Sequence, residues 1–221
     1  ALNPSDIAQP IRHIVRDQHN CQVVLGEVQG IDLEHSSVAT TIGPIAYDYL
    51  VVATGATHAY FGRDDWATYA PGLKTIEDAL EIRRKILLAF ERAETAESDA
   101  ARRQLMTFVV VGAGPTGVEI AGAIREIATE VLHADFRRID TSTSRVVLVE
   151  AGPAVLSAFS SKLQRSATQQ LAHLGVEVQT STRVTDITGD GVTTTAGFIP
   201  AATVIWAAGV AASPLGAEIT A

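Results

Sequence analysis

Apolar and polar positions alternate between two periods along this chain, and the changes of period mark its elements. Ser5 to Arg16 places Ile7, Ile11, Ile14 and Val15 at helical spacing with Asp6 early and Arg16 late, which predicts a short helix. Cys21 to Val28, Ser37 to Ile42 and Ala46 to Ala53 read as strands, with turns at Asp32 to Ser36 and at Gly43-Pro44. Within the last of these, Tyr49 to Ala53 is an unbroken apolar run, the pattern of a strand buried on both faces. Thr57 to Gly72 reads as a connection with aromatic anchors at Phe61, Trp66 and Tyr69. Thr75 and Asp78 then form a helix start, and Ile76, Ala79, Leu80, Leu87 and Phe90 carry an apolar stripe toward Ala96, followed by polar linker or helix end over Glu97 to Gln104.

The second half changes rhythm. Strands are predicted at Phe108 to Val111, Arg145 to Glu150, Val176 to Thr180 and Thr203 to Ala208, the first and last of them as buried strands. They alternate with helices from Pro115 to Leu132 and from Lys162 to Leu174, and a hairpin is predicted across Gly189-Asp190-Gly191. Strands alternating with helices imply an α/β fold with a parallel sheet, of Rossmann-like architecture, with a meander insert.

Composition narrows the chemistry. Seventeen Lys and Arg against 25 Asp and Glu give a net charge of −8, and the longest basic run is Arg83-Arg84-Lys85. That pattern argues against a nucleic-acid partner. One cysteine, Cys21, cannot form an internal disulfide, a redox pair or a thiolate zinc site, and the six histidines show no H-x-x-x-H spacing, so no metal is expected. The uncharged stretch Gly191 to Ala217 is interrupted by Pro200 and Pro214, and its apolar centre has the length of one buried strand rather than a membrane span. The 221 residues amount to about one and a half domains at roughly 150 residues each, and the chain opens on Ala1-Leu2-Asn3-Pro4 without the features of a signal peptide. The expectation is therefore an internal piece of a longer protein.

The strongest chemical signal is VVVGAGPTGVEIAGAI, residues 109 to 124. A G-x-G-x-x-G turn is informative when it follows a buried strand and opens a helix, as here. Gly112 permits the tight turn, Gly114 lets a pyrophosphate approach the backbone, and Gly117 lets helix pack on strand. Pro115 suits the first helical position, Thr116 follows it in the first turn, and the helix N-terminus favours an anion. Glu150 ends the next strand, where a carboxylate accepts ribose hydroxyls and repels a 2′-phosphate, which predicts NADH over NADPH. The interval from Gly112 to Glu150 is about twice the usual ~20 residues, so His133 to Ser144 is read as an excursion, with Arg137, Arg138 and Arg145 as the alternative contacts for a 2′-phosphate. Leu50 to Gly55 and Val204 to Gly209 share one further shape, a buried strand ending in small residues and glycine.

Taken with the opening ALNPSDIAQPIR, YDYLVVATGA, APGLKTIEDAL, GAGPTGVEIAGAI, DFRRID, VVLVEAGP and VIWAAGV, the sequence resembles the two-dinucleotide-binding-domain flavoproteins, and among them the type II NADH:quinone oxidoreductases. The resemblance implies an FAD domain interrupted by an NADH domain, with hydride passing from NADH to FAD and electrons to a quinone. It implies a partial FAD domain over residues 1–72, an NADH domain over 73–207 and a return into the FAD domain over 208–221. Val28, Ala53, Thr54 and Gly55 would lie near FAD; Gly112, Gly114, Pro115, Thr116, Gly117 and Glu150 would hold NADH; Ala208 and Gly209 would lie near the nicotinamide half. Glu119 matches the family's glutamate near nicotinamide and flavin, while Ala123 departs from the glutamate often found there. The family's own FAD glycine motif and its C-terminal membrane anchor fall outside the sequence. The expected parent is thus a peripheral enzyme on the cytoplasmic face of a membrane, and the expected fragment is soluble, inactive and without flavin. An open edge at residues 46–53 would allow pairing into a dimer. Two alternatives stay open, a free-standing NADH-sensing module and another flavin reductase of the same fold.

Overall fold

The structure, a computed structural model, describes residues 8–219. The chain divides into two compact units, one of residues 1–57 with 212–221 and one of residues 58–211.

In the first unit the described residues begin with α1 (Ile11–Ile14), far shorter than the predicted helix, whose start at Ser5 to Ile7 lies outside the described residues. Its Ile11 and Ile14 are exposed, so its apolar stripe has no core to cover. Three strands, β1 (Val28–Asp32), β2 (Ser37–Thr40) and β3 (Ile45–Ala46), form an antiparallel meander. Its first turn sets the register. The Asp32 side chain accepts the His35 N–H at 2.9 Å, Ser36 adopts φ +48°, and Asp32 pairs with Ser37.

That turn explains a correction: Cys21 to Glu27 is not a strand, and only Val28 of the expected run belongs to one. The hairpin pairs residues from Val28 onward, leaving Leu25 90% exposed without a partner strand. A second correction concerns Ala46 to Ala53, where only Ile45–Ala46 is strand and Tyr49 and Val51 are 94% and 85% exposed. β-propensity yields a buried strand only when neighbours supply hydrogen bonds and cover, and among the described residues none lies alongside this run. The edge expected to support a dimer is therefore not formed.

Short strands β4 (Ala56–His58) and β12 (Val210–Ala212) lie where the chain passes into and out of the second unit. Tyr60, Trp66 and Ala70 are buried, which is why residues 58–72 pack with this unit although the sequence reads as a connection. A capping box at Thr75 and Asp78 opens α2 (Ile76–Thr95). The polar segment after it, expected as linker or helix end, is a separate helix, α3 (Asp99–Leu105), capped by Ser98. Four strands, β5 (Thr107–Val111), β6 (Arg145–Val149), β7 (Val176–Gln179) and β11 (Thr203–Trp206), make a wholly parallel sheet in the order β11-β5-β6-β7.

Period-two alternation sends Phe108, Val110, Val146 and Leu148 to one face, where they meet Ile82, Ile86 and Phe90 of α2, Ile120 and Ile124 of α4 (Pro115–Glu126), and Leu171 of α5 (Ser161–Leu174). Val109, Val111, Val147 and Val149 face the other way. They are covered by Ile187, Val192 and Ile199 of an antiparallel sheet, β8 (Val184–Thr188), β9 (Gly191–Thr194) and β10 (Gly197–Pro200), together with Trp66 and Trp206. Cover on both faces is what a parallel sheet requires. Helix α4 ends in a π turn over Ile127–Val131, which carries the predicted helix to Leu132, where the Leu132 N–H bonds Ile127 O at 2.9 Å.

Candidate functional site at the glycine turn

In the second unit, β6 and β7 lie to one side of β5 and β11 lies to the other. Strand order thus reverses between β5 and β11, and ligands of open α/β sheets bind beyond the carboxyl ends of the strands at such a point. The Gly112–Gly117 turn leaves β5 there, beside Ala207 and Ala208 at the end of β11.

Close packing accounts for two of its glycines. Gly112 has φ +100°, and a Cβ on it would stand 2.5 Å from Ala208 Cα. A Cβ on Gly117 would run into the Gly112 carbonyl oxygen. Gly114 differs, since a Cβ there would meet nothing within 4 Å. Space is open in front of the second glycine, as a ligand lying against the backbone requires. Gly114 is the N-cap of α4, Pro115 and Thr116 follow, and no side chain caps the helix. The first-turn N–H groups are therefore left to an anion. Pyrophosphate chemistry fits this set of donors.

Glu150, immediately after β6, is half-buried and already engaged. Its Oε2 accepts the Ala113 N–H at 2.8 Å and its Oε1 the Gly152 N–H at 2.7 Å. The turn is held from a second side, because Leu156 donates its N–H to Ala113 O at 2.8 Å while adopting φ +51°. Sequence reasoning missed Leu156, and nothing in the local pattern marks a leucine for left-handed backbone.

Glu119 is exposed on α4, beside an apolar groove of about 500 Å³ shared with Val118, Gly122, Leu156, Phe159 and Leu163. Ala208 is exposed, while Gly209 is half-buried with its carbonyl accepting the Ala59 N–H at 3.2 Å. Ala208 is thus brought to Gly112, and Gly209 is tied to the start of the unit. Val28, Ala53, Thr54 and Gly55 are exposed residues of the first unit, with Gly55 at φ +70°.

Two of the three arginines considered for a 2′-phosphate, Arg145 and Arg137, are otherwise occupied. Arg145 begins β6, at the opposite end from Glu150 and about 16 Å away at ~3.3 Å per strand residue. It forms a two-pronged pair with Glu177 at 2.7 Å. Arg137 donates to Ala134 O at 3.1 Å.

The excursion itself is anchored. Glu94 of α2 accepts the backbone N–H groups of Arg137, Arg138 and Ile139 at 2.9 to 3.1 Å. Burial pushes the Glu94 carboxyl up, but those three donors outweigh it and hold the group below the ordinary glutamate range. Phe136 packs against Phe90, and buried Thr141 donates to Ala128 O at 2.7 Å.

Comparison with known proteins places this arrangement among relatives. The chain is 48% identical over 229 residues to the type II NADH:quinone oxidoreductase NdhA of Mycobacterium tuberculosis, covering 99% of this chain and 48% of that protein. It is 45% identical over 227 residues to Ndh of the same organism, covering 99% of this chain and 49% of that one. The chain thus spans about half the length of the curated relatives it matches. The solved structure of NDH2 from Plasmodium falciparum in complex with NADH superposes with a TM-score of 0.78 at 23% identity, over 87% of this chain and 42% of that one, a likeness of fold. The family model for pyridine nucleotide-disulphide oxidoreductases matches residues 2–220. A doubly covered parallel sheet, a glycine turn at its switch point and a match over nearly every residue lead to one conclusion: the chain belongs to the pyridine nucleotide-disulphide oxidoreductase family.

Proposed function

We propose that this chain is the nucleotide-binding part of an FAD-dependent NADH:quinone oxidoreductase, with residues 73–207 as its NADH domain and residues 1–72 and 208–221 contributing to an FAD domain. The observation that carries the reading is the glycine turn at the switch point, open in front of Gly114, followed by an uncapped helix and flanked by the Glu150 carboxylate. Gly112, Gly114, Pro115, Thr116 and Gly117 receive the pyrophosphate of NADH. Glu150 accepts its adenosine ribose hydroxyls and disfavours the 2′-phosphate of NADPH. Ala208 and Gly209 border the nicotinamide half, and Glu119 lies on the helix that follows the pyrophosphate.

FAD, when bound, supplies the two-electron acceptor for the hydride and the donor to quinone. Val28, Ala53, Thr54 and Gly55 are the residues assigned to it. Among the described residues of the first unit no glycine turn opens a helix, so these residues do not by themselves fit a flavin pyrophosphate. A flavin-binding enzyme therefore needs groups additional to these. By the same reading, hydride transfer from NADH to FAD and electron transfer on to quinone are activities of a longer protein on the cytoplasmic face of a membrane. No helix among the described residues is long and apolar enough to cross a membrane.

Calorimetric titration of the chain with NADH and NADPH tests the nucleotide assignment. The expected result is binding of NADH and at least tenfold weaker binding of NADPH. Absence of NADH binding, or equal affinity for both, overturns it. Quinone-dependent NADH oxidation by a purified polypeptide of the relatives' full length, carrying this sequence, tests the wider activity, and its absence in the flavin-loaded protein would refute that part.

A further inference from the structure

The proposed site is held in shape by the loop that follows it in space rather than by its own sequence. Ala113 is 1% exposed, so its N–H cannot turn to water, and its partner is Glu150 Oε2 at 2.8 Å. The other carboxylate oxygen holds Gly152 N–H at 2.7 Å, and a Cβ on Gly152 would come within 3.0 Å of that oxygen. Glycine at 152 therefore leaves the room that the bridge occupies. The next carbonyl along the turn, Ala113 O, is held by Leu156 N–H at 2.8 Å, with Leu156 in the left-handed region at φ +51°. Buried Val155 anchors the loop in the apolar core.

We propose that Glu150, Gly152 and Leu156 form a clip that fixes the glycine turn in its anion-receiving shape before any nucleotide arrives. Glu150 thereby acts as a positioning residue for the pyrophosphate in addition to accepting ribose hydroxyls. A carboxylate has about four lone-pair sites. Two hold backbone N–H groups here, and two remain for the hydroxyls, so one side chain serves both ends of the adenosine diphosphate moiety. Pre-setting the turn lowers the ordering cost of binding. The proposal rests on the reading of the glycine turn as a nucleotide site.

The test separates the two roles with a ligand that has a diphosphate but no ribose hydroxyls, 2′,3′-dideoxyadenosine diphosphate. In Glu150→Gln only one acceptor oxygen remains, so one of the two backbone bridges is lost. Amide exchange measured by NMR on the nucleotide-free chain should quicken at least tenfold at Ala113 or Gly152, while Val110 and Leu148 in the strands exchange as in the parent chain. The dissociation constant for the dideoxy diphosphate should rise at least threefold. Removing a negative charge near a diphosphate tightens binding on its own, so a weakening must come through the turn. Unchanged exchange at both amides, or dideoxy binding that is unchanged or tighter, overturns the proposal. Gly152→Ala, which crowds the carboxylate without altering it, is the second variant and should give the same signature at Ala113. If the parent chain binds neither ADP nor its dideoxy form, the nucleotide reading falls, and the exchange data alone decide whether the clip exists.

Discussion

Replacing Gly112 by alanine sets two costs on one atom. The residue sits at φ +100°, where a side chain costs of order 1–3 kcal/mol. The added Cβ would stand 2.5 Å from Ala208 Cα, 2.6 Å from Ala208 N and 2.7 Å from Ala207 C, all backbone atoms. Overpacking of that kind typically costs ~1–3 kcal/mol. Neither strand end can easily retreat, because Gly112 N–H bonds Val149 O at 2.8 Å and Ala207 N–H bonds Val111 O at 2.7 Å. The expected loss is about 2–6 kcal/mol, against the ~5–15 kcal/mol that stabilises a typical domain. For a unit of this size it corresponds to a fall in Tm of roughly 4–24 °C.

Urea and thermal unfolding followed by tryptophan fluorescence measure the effect cleanly, since both tryptophans, Trp66 and Trp206, are buried in the second unit. Gly114→Ala is the control. Its Cβ meets nothing and its φ is −71°, so stability should stay within about 1 kcal/mol, the scale of an N-cap change, while NADH affinity falls. Melting of Gly112→Ala within 2 °C of the parent chain, or Gly114→Ala melting as low as Gly112→Ala, would refute the division of labour between the two glycines.

Thr75→Ala breaks one arm of the capping box, where the Thr75 hydroxyl accepts the Asp78 N–H at 3.1 Å, and should lower stability by about 0.5–2 kcal/mol in urea unfolding. Phe108→Ala empties a fully buried position whose ring lies 5.2 Å from that of Phe90, and should cost ~3–5 kcal/mol, measured the same way. Glu94 carries a pH dependence. Its folded-state pKa is depressed, so its hold on residues 137–139 is complete above the ordinary glutamate value near 4.5 and is lost as pH falls through the lower folded value. Limited proteolysis or amide exchange of the excursion should therefore rise below about pH 4.5 in the parent chain, whereas Glu94→Gln should show faster exchange at neutral pH and little further change on acidification.

The parts of the molecule that the sequence disclosed are those whose structure is local or whose cover is complete. The turn at Gly112–Gly117, the capped start at Thr75 and the four strands of the parallel sheet are visible because each is specified within a few residues. The same logic failed at Val51 and Leu25, whose residue types ask for a strand but whose neighbours do not supply one. Nor does it show α3 as a helix of its own apart from a linker or helix end, because seven residues with a Ser98 cap carry too little apolar periodicity to stand out.

At the site, the order of Gly112, Gly114, Gly117 and Glu150 is legible in the sequence, but the groups they touch are not. Gly112 and Gly117 serve contacts to Ala208 and to the turn's own carbonyl, whereas Gly114 faces open space. Glu150 was read as a residue awaiting a ligand, and the fold gives it two backbone partners first.

By itself, then, the sequence determined the parallel sheet, the glycine turn and the helix behind it, since hydrophobic period and backbone permissiveness act over a few residues. Tertiary structure alone decided that Leu156 would adopt left-handed backbone to reach Ala113, that Glu94 would anchor the excursion, and that Arg145 would face Glu177 instead of the end of β6 where Glu150 stands. Those choices depend on which distant groups arrive at hydrogen-bonding distance, and no window of the sequence holds both partners.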